Sequence, residues 1–456
     1  MEQISFERDE LKDLEHWLYS AIRQPLIMRG ARQVGKSTLV RMLAQKSGYT
    51  LVELDFEKDP QLVDFFQSQD PLYIMTLLEA SLNISINQTK SILFLDEIQR
   101  APSIIACLRY FFEKLPSLAV IAAGSLLDLT LNDHRYSIPV GRVEYFFLGP
   151  LTFEGFLSAI GKHNLRQYLK NYTTCLMGHG IPGILHNQLL DAIKLYFFIG
   201  GLPQSIATYL KTKSLLEVNR VKQSLVLSYQ DDFSKYHSGR KQQRLRSIFQ
   251  KIPFMLGEKF KYSNIDREEK STVIKEALEH LISARLLQSV YNTSAQGLPL
   301  GAQVKEKDFK TYFLDIGLAL SVLGLSYDDY NFDNHQPSLV NVGQLCEQFV
   351  AQELLQLRPS FESPQLYYWL REAKSSNAEV DFVITHKGTI IPIEVKSGST
   401  GALKSLHIFM KERGFKKAIR FCLQQPSTIT IETSDLHSFE LITLPFYLIG
   451  QIHRLC

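Results

Sequence analysis

The 456-residue sequence has no apolar run long enough to cross a lipid bilayer. Its most apolar windows, Ala119–Leu127 and Leu441–Gly450, are much shorter than the roughly 20 residues that a transmembrane helix needs. The first residues, Met1–Glu10, are charged and contain no apolar core of a signal peptide. These absences argue against a membrane protein or a membrane partner, and we expect a cytoplasmic protein.

Cysteine is scarce, and neither sign of charge is in excess. The five cysteines are odd in number and include no Cys-x-x-Cys pair, which argues against a disulfide framework and a zinc site. The formal net charge of +3 neither favours nor excludes a nucleic-acid partner, so any basic surface must be local. Internal repeats and low-complexity tracts are absent, and the length predicts two to four globular domains.

A glycine-rich stretch follows the apolar run Leu26–Met28. It reads Gly30-Ala31-Arg32-Gln33-Val34-Gly35-Lys36-Ser37-Thr38. This is the P-loop pattern, in which glycines let backbone N–H groups point at phosphate oxygens beside a helix N-terminus. Lys36 is predicted to reach the β- and γ-phosphates, and the Ser37 hydroxyl to bind Mg²⁺. The sequence therefore predicts that these nine residues line a nucleotide site.

Two acids end the next solid apolar run, Ser91–Leu95, which is typical of a strand buried on both faces. In P-loop ATPases the first such acid holds Mg²⁺, usually through water, and the second polarises the attacking water. We therefore predict a metal-binding role for Asp96, shared with Ser37, and a catalytic role for Glu97.

Two further residues are candidates for the catalytic set that contains Lys36 and Glu97. Ser125 comes shortly after the predicted strand Leu118–Ala123 and could orient water near the γ-phosphate; an ordinary loop hydroxyl is an equal alternative. Arg142 precedes another strand and could stabilise transition-state charge in its own or a neighbouring subunit. The alternative for Arg142 is a surface arginine without a function.

Strand and helix patterns predict an α/β protein in four parts. Residues 1–152 alternate between the two patterns and are predicted to form a P-loop core with a parallel sheet. Residues 153–228 are predicted to form a helical lid. Residues 229–326 are predicted to form a winged-helix-like module, and Ser326–Pro337 a polar linker. Residues 338–456 are predicted to form a further α/β domain.

Particular elements are predicted with bounds. The predicted helices include Phe6–Ile22, Pro71–Leu82, Ile104–Lys114, Ser271–Ser289 and Val342–Leu357. The predicted strands include Leu51–Phe56, Leu118–Ala123, Arg142–Leu148, Lys310–Leu314, Gln365–Trp369, Glu379–Thr385, Thr389–Val395 and Lys417–Cys422.

The first half resembles the archaeal-type ATPases of the AAA superfamily. The matching strings are Gly30–Thr38, Leu95–Gln99, Ala123–Ser125, Gly141-Arg142 and Leu148–Glu154. The resemblance implies an AAA-like core that binds ATP, an Arg142 role in the nucleotide site, and cytoplasmic residence. The second half resembles the uncharacterised domain that accompanies these ATPases. Its matching strings are Gly200–Pro203, Tyr229–Phe233, Lys235-Tyr236 and Phe313–Leu318.

The last domain resembles the PD-(D/E)xK restriction-endonuclease fold. Asp381 lies on one predicted strand, and Glu394 and Lys396 lie two residues apart on the next, so that they share one face. Two carboxylates can hold a divalent cation beside a lysine, and Glu347 on the preceding helix matches the acid that often completes such sites. Val380 stands where the family name has proline, so cleavage remains one alternative and an inactive fold the other.

Clustered cations indicate a candidate nucleic-acid surface. They are Lys235, Arg240, Lys241, Arg244, Arg246 and Lys251. Such a cluster suits phosphate-backbone contacts, and a solvated helix face is the alternative.

Together, the sequence predicts a Mg²⁺-dependent ATPase that couples its nucleotide state to a nuclease-fold domain. That domain would act on or bind nucleic acid, with DNA favoured over RNA. A nucleotide-gated scaffold or signalling module with an inactive nuclease-like domain, and hence a protein partner, is the alternative. A homo-oligomer in which Arg142 acts between subunits is a third option.

Overall fold

The structure, a computed structural model, describes residues 5–125, 127, 139–236, 239–329, 342–372, 377–398, 403–432 and 438–456. The described residues form two compact units. The first comprises Met1–Pro150 with His280–Leu286 and Arg358–Pro364. The second comprises Leu151–Glu279, Leu287–Leu357 and Gln365–Cys456.

The first unit contains a parallel sheet. Its strands are β1 (Leu26–Arg29), β2 (Thr50–Asp55), β3 (Ser91–Asp96), β4 (Ala119–Gly124) and β5 (Glu144–Phe147). Among the described residues these five strands lie in the order β2-β3-β4-β1-β5, and every neighbouring pair is parallel. The parallel-sheet fold predicted for this part of the chain is thus confirmed.

Helices cover this sheet. They are α1 (Leu11–Leu18), α2 (Lys36–Ser47), α3 (Pro71–Leu82) and α4 (Cys107–Lys114), with 3₁₀ turns at Pro60–Phe66, Ile98–Arg100 and Pro102–Ala106. Every residue of β3 and β4 is buried, as expected for central strands covered on both faces. The helix predicted over Phe6–Ile22 is shorter, and it buries Leu11, Leu14, Trp17 and Leu18.

From residue 153 to residue 283 the described chain is helical. The helices are α5 (Phe153–Ala159), α6 (His163–Asn171), α7 (Thr174–Met177), α8 (Gly183–Ile199), α9 (Pro203–Thr212), α10 (Leu215–Tyr236), α11 (Arg240–Lys251), α12 (Tyr262–Ile265) and α13 (Ser271–Ser283), with a 3₁₀ turn at Ile252–Met255. The helical pattern predicted for 153–228 is therefore observed, and its role as a lid stays a prediction.

The rest of the second unit is built on a mixed sheet. Its strands are β6 (Leu287–Thr293), β7 (Val304–Phe313), β8 (Tyr367–Arg371), β9 (Ala378–His386), β10 (Thr389–Val395), β11 (Lys417–Cys422), β12 (Ser427–Glu432) and β13 (Ser438–Pro445). Among the described residues these eight strands lie in the order β12-β13-β11-β10-β9-β8-β6-β7. The accompanying helices are α14 (Ile316–Val322), α15 (Val342–Gln356), α16 (Lys404–Arg413) and α17 (Ile452–Leu455), with 3₁₀ turns at Leu300–Gln303 and Phe446–Gln451.

The hairpin β6–β7 belongs to this mixed sheet, because β6 pairs in parallel with β8. The predicted winged-helix-like segment and the predicted C-terminal domain therefore share one sheet. The order α11, α12, α13, β6, β7, with a bridge between Lys259 and Lys310, fits a winged helix. That assignment, like the restriction-endonuclease-like one, remains a prediction.

The helix predicted over Ser271–Ser289 is wrong at its C-terminal end. It ends at Ser283, and Arg285 adopts a left-handed conformation with φ 59°. A residue in this conformation stops the helical hydrogen-bond pattern, and Leu287 begins strand β6. Among the described residues, no helix is long and apolar enough to span a membrane.

Candidate functional site

The predicted P-loop lies between the end of β1 and the start of α2. Gln33 and Gly35 have positive φ angles of 65° and 102°, which turn the chain into the helix. At Gly30 a Cβ atom would lie 2.3 Å from the carbonyl oxygen of Leu148, so only glycine fits there. Ala31 and Val34 are buried, Thr38 is partly buried in α2, and Arg32 pairs with Glu57 at 2.7 Å.

Lys36 is buried inside this loop. Its Nζ donates hydrogen bonds to the carbonyl oxygens of Gly30 and Ala31, each at 2.9 Å. Burial lowers the pKa of Lys36 to about 8, and the nearby carboxylates of Glu97 and Asp96 oppose this shift. The ammonium group therefore lies within the loop that would enclose phosphate.

Ser37 and Asp96 are in contact although β4 lies between β1, which precedes the P-loop, and β3, which ends at Asp96. The Ser37 Oγ donates to Asp96 Oδ2 at 2.5 Å, and Asp96 Oδ1 accepts from the backbone N–H of Glu97 at 3.0 Å. Burial raises the pKa of Asp96 to about 6, with the Ser37 hydrogen bond opposing the shift. A hydroxyl and a carboxylate in contact are oxygen ligands of the kind that Mg²⁺ prefers, so these residues fit the predicted ion.

Gln99 connects Glu97 with the end of β4, a role that no sequence motif predicted. Its Nε2 donates to the Glu97 carboxylate, and its Oε1 is buried with no hydrogen-bond partner among the described residues. A Cβ atom on Gly124 would lie 2.3 Å from that Oε1, which places the amide against the strand end. The adjacent Ser125 Oγ is also buried and unpartnered within the described chain. Glu97, Gln99 and Ser125 thus lie at the carboxyl end of neighbouring strands.

Arg8 is a second residue of this region that no sequence motif predicted. It is buried and donates to the carbonyl oxygen of Val34 in the P-loop and to that of Gly149 at 3.0 Å. These partners lie 26 and 141 residues away, so no local pattern could reveal them. Arg8 therefore supports the loop from outside.

Arg142 lies at the opposite end of the sheet from the P-loop. It precedes β5, whose first residue pairs with Leu26 at the start of β1, whereas the P-loop follows the end of β1. Its guanidinium contacts Glu113 Oε1 at 3.3 Å. The structure therefore does not bring Arg142 to the nucleotide site of its own chain, and only a role toward another copy remains open.

Asp381, Glu394 and Lys396 lie together in the mixed sheet. Asp381 Oδ2 accepts from the backbone N–H of Val395 at 2.7 Å, and the Lys396 ammonium contacts Glu394 Oε1. Burial and the charge of Asp381 raise the pKa of Glu394 to about 8, and Lys396 opposes this shift. Glu394 Oε2 is buried and has no hydrogen-bond partner among the described residues.

Glu347 joins this group through strand β7. Its Oε2 accepts from Tyr312 Oη at 3.0 Å and from Lys310 Nζ at 3.4 Å. Lys310 also contacts Glu379 Oε1 at 2.5 Å. Burial raises the pKa of Glu347 to about 7, with Lys310 opposing and Asp381 reinforcing the shift. Lys310, Tyr312 and Glu379 were not predicted, because β7 and the acids are far apart in sequence.

Metal binding in this cluster is not shown by its geometry. Within the described ranges, no group of three or more His, Cys, Asp or Glu residues is arranged to hold a metal ion.

Most of the cations on α11 that were predicted to form a basic surface are paired with acidic side chains. Lys241 pairs with Glu276 at 2.7 Å, and Arg244 pairs with Glu269 at 2.7 Å. Arg246 pairs with Asp231 at 3.3 Å. Of the remaining predicted cations, Lys251 donates to a backbone carbonyl, Arg240 is exposed, and the Lys235 side chain lies outside the described residues. Contacts with phosphate would have to compete with these pairs.

Family comparisons divide the chain into three matched regions. A family model described as an AAA domain matches residues 22–157. Two models described as domains of unknown function, DUF8612 and DUF4143, match residues 190–329 and 342–447. No curated protein matches the chain. The N-terminal region therefore has the P-loop and the parallel sheet of a nucleotide-binding domain and is similar to the AAA domain model over residues 22–157.

Several solved structures are similar to the chain at low identity. A Walker-type ATPase of Pyrococcus abyssi is 16% identical, with 70% of this chain and 96% of that chain covered and a TM-score of 0.45. The ORC2 protein of Aeropyrum pernix is 11% identical, with 71% and 94% covered and a TM-score of 0.35. The RuvB branch migration motor of Thermotoga maritima is 13% identical, with 63% and 90% covered and a TM-score of 0.29. We draw no function from these similarities.

Proposed function

We propose that the chain is a Mg²⁺-dependent ATP hydrolase. The observation that carries this proposal is the 2.5 Å contact between Ser37 Oγ and Asp96 Oδ2, beside the buried Lys36 and directly before Glu97. A protein that only sensed a nucleotide would not need the second acid at this position.

Each residue of the site has a distinct task in this proposal. The backbone N–H groups of Gly30–Thr38 and the Lys36 ammonium bind the phosphates. Ser37 would hold Mg²⁺ directly and Asp96 through water, and the bound ion would neutralise charge on the phosphates. Glu97 polarises the attacking water, while Gln99 orients the Glu97 carboxylate. The Ser125 hydroxyl, which has no hydrogen-bond partner in the described part of the chain, is available to the same water.

We further propose that nucleotide state is coupled to the C-terminal acidic cluster, which acts on or binds nucleic acid. In this proposal Asp381 and Glu394 hold a divalent cation and Lys396 stabilises charge on a phosphate. Glu394 Oε2 is buried and has no hydrogen-bond partner among the described residues, which supports its assignment as a cation ligand, because a buried polar atom without a partner is costly. The division into 1–152, 153–228, 229–326 and 338–456 belongs to this proposal, as does the preference for DNA over RNA.

A nucleotide-gated scaffold is the second candidate. It is favoured by the acids that pair with Lys241, Arg244 and Arg246, because a surface neutralised in this way attracts phosphate weakly. In that case the C-terminal fold would recognise a protein partner without cutting nucleic acid.

Phosphate release from ATP and Mg²⁺, with and without DNA or RNA, separates the two candidates. Glu97→Gln and Asp381→Ala are measured beside the wild type, and the nucleic acid is examined on a gel. DNA-stimulated turnover lost in Glu97→Gln, with cleavage lost in Asp381→Ala, supports the coupled function. Turnover indifferent to nucleic acid, with the strands intact, supports the scaffold. No turnover in any condition contradicts the proposed hydrolase.

A further inference from the structure

We propose that the Arg32 side chain binds the terminal phosphate of ATP in its own chain and stabilises the charge that develops there during hydrolysis. Glu57 would pair with the guanidinium until the nucleotide replaces it. This inference rests on the proposed hydrolase and deepens it, since the loop pattern itself predicts only that Arg32 lines the nucleotide site. It gives Arg32 the cationic role that Arg142 cannot perform in its own copy.

The backbone of Arg32 lies beside the phosphate-binding lysine. Lys36 Nζ donates to the carbonyl oxygen of Ala31 at 2.9 Å, and the carbon of that carbonyl is bonded to the backbone nitrogen of Arg32. Burial is the main cause that lowers the pKa of Lys36, and the charge of Arg32 adds to the shift, so the two cations are close enough to interact. A phosphate bound by Lys36 would therefore lie near the Arg32 side chain as well.

Glu57 links Arg32 with the turn that follows Glu97. Its two carboxylate oxygens contact different arginines: Oε2 lies 2.7 Å from Arg32 Nη2, and Oε1 lies 3.0 Å from Arg100 Nη2. Arg100 ends the 3₁₀ turn that begins directly after Glu97. Glu57 follows the end of β2, which is the neighbour of β3 in the sheet. The three charged side chains therefore lie at the end of the sheet that carries the predicted catalytic residues.

The ion pair between Arg32 and Glu57 can open at little cost. The two side chains are 24% and 35% exposed, and exposed ion pairs contribute little to stability. Glu57 keeps its contact with Arg100 when Arg32 turns away. A phosphate group is the stronger partner, because its oxygens accept two parallel hydrogen bonds from the planar guanidinium. ATP would therefore take Arg32 from Glu57, whereas ADP has no terminal phosphate to do so.

Two other arginines of the same unit have contacts or positions that exclude them from this role. Arg8 is buried and donates to the carbonyl oxygens of Val34 and Gly149, and Arg142 lies at the opposite end of the sheet. An arginine that neutralises charge on the transferred phosphate is a recurring part of phosphoryl-transfer sites. Arg32 is the arginine that the loop itself supplies.

Isothermal titration calorimetry with ATP and with ADP, in the presence of Mg²⁺, tests the inference through binding. All proteins in this measurement carry Glu97→Gln, so that hydrolysis adds no heat. We expect Arg32→Ala to weaken ATP binding about tenfold and ADP binding by less than about twofold. Arg32→Lys should give an intermediate ATP affinity, because an ammonium keeps the charge without the two-pronged geometry. Glu57→Gln removes the competing carboxylate and should strengthen ATP binding about threefold.

Phosphate release in proteins with an intact Glu97 is the second measurement. Arg32→Ala should lower turnover about a hundredfold or more, as expected for an arginine that acts on the transferred phosphate. Arg41→Ala and Glu53→Gln are the matched controls, because these two residues form another exposed arginine–glutamate pair in the same unit. Neither control should change turnover or the ratio of ATP to ADP affinity.

The opposite signs expected for Arg32→Ala and Glu57→Gln separate this role from a structural one. If the pair only stabilised the loop, both substitutions would weaken ATP binding alike, and that result would overturn the inference. Equal ATP affinity and turnover in Arg32→Ala and its parent would also overturn it and leave the hydrolase standing. If the wild type binds ATP but releases no phosphate, the hydrolase is overturned, whereas a selective loss of ATP affinity in Arg32→Ala still supports the phosphate contact.

Discussion

Two features at the end of β3 orient the Glu97 side chain. Its backbone adopts the left-handed conformation with φ 53°, and its carboxylate accepts a hydrogen bond from Gln99. A residue other than glycine in this conformation is unusual and is often found at functional sites. The geometry therefore suits a group that must face a reacting water, while Lys36 and the loop bind phosphate separately.

Glu97→Gln should separate catalysis from binding. We expect turnover to fall by about 10²- to 10⁴-fold, because the amide cannot accept a proton from the attacking water. Nucleotide affinity should change less than about threefold, since Lys36 and the loop N–H groups remain. Phosphate release and titration with a fluorescent nucleotide measure the two quantities. Glu53→Gln is the control, because Glu53 pairs with Arg41 on the surface. Full turnover in Glu97→Gln would contradict the assigned role.

Glu353 is a buried acid with no role in either site. Its Oε1 accepts from the backbone N–H of Phe153 at 2.9 Å and from Tyr196 Oη at 3.3 Å. Burial raises the pKa of this carboxyl to about 8, and the hydrogen bond from Phe153 opposes the shift. The folded protein therefore keeps a proton on Glu353 at pH values where the unfolded chain has lost it.

The stability contributed by this proton should disappear as the pH rises. It is fully present below the unfolded pKa, near 4.5, and is lost as the pH approaches 8. Each rise of one pH unit in this window lowers the free energy of unfolding by up to about 1.4 kcal/mol. Glu353→Gln keeps the acceptor oxygen and removes the titration, so its advantage over the wild type should grow between about pH 5.5 and about pH 7.5. Urea unfolding measures the difference, and parallel pH profiles would contradict the assignment.

At the scale of elements, the sequence strings Gly200–Pro203 and Phe313–Leu318 are in contact and form one helix junction, here called the joint. Asp315 accepts from Gly201 N–H at 2.6 Å and caps helix α14 through Leu318 N–H at 3.0 Å. Lys222 is buried nearby and donates to the carbonyl oxygen of Phe198 at 2.6 Å. The break at Gly200-Gly201 is thus explained by close packing against Asp315, and the joint connects α8, α10 and α14.

Gly200→Ala should be among the most damaging substitutions in this joint. Gly200 has φ 78° and ψ −176°, and an added Cβ would lie 2.1 Å from Asp315 Oδ1. We expect a loss of about 3 kcal/mol or more, from backbone strain together with overpacking. Gly161→Ala is the control, because Gly161 has φ 80° but nothing within 4 Å of the Cβ position. Its cost should be about 1 to 2 kcal/mol. Urea unfolding that shows equal losses would contradict the explanation.

For the whole molecule, features fixed by local pattern were predictable and those fixed by distant contacts were not. Strands β10 and β11 were predicted with their observed bounds, since Lys387 and Gly388, both with positive φ, form a clear turn before β10. The candidate nucleotide site was predicted from two motifs. Arg8 and Lys310 were missed, because burial makes their ion pairs and hydrogen bonds depend on residues remote in sequence. Strand β12 was also missed, because it is largely exposed and has no solid apolar run.

Arg142 could act in catalysis only on the nucleotide of another copy of the chain, because it lies far from the P-loop of its own copy. Strand β5 has four residues, or roughly 13 Å, between Arg142 and the sheet edge that carries the P-loop. A single copy therefore cannot place the Arg142 guanidinium on its own nucleotide, and its observed partner is Glu113.

Arg142→Ala should consequently leave turnover unchanged, within about twofold, at concentrations where the protein is monomeric. If nucleotide drives assembly, the wild-type rate per chain should rise with concentration, and the variant should lose that rise. Sedimentation and phosphate release on the same samples relate rate to assembly, with Arg109→Ala as the control because Arg109 shares Glu113 on the same surface. A large loss of turnover in strictly monomeric Arg142→Ala would mean that β5 and the P-loop are arranged differently in the active state.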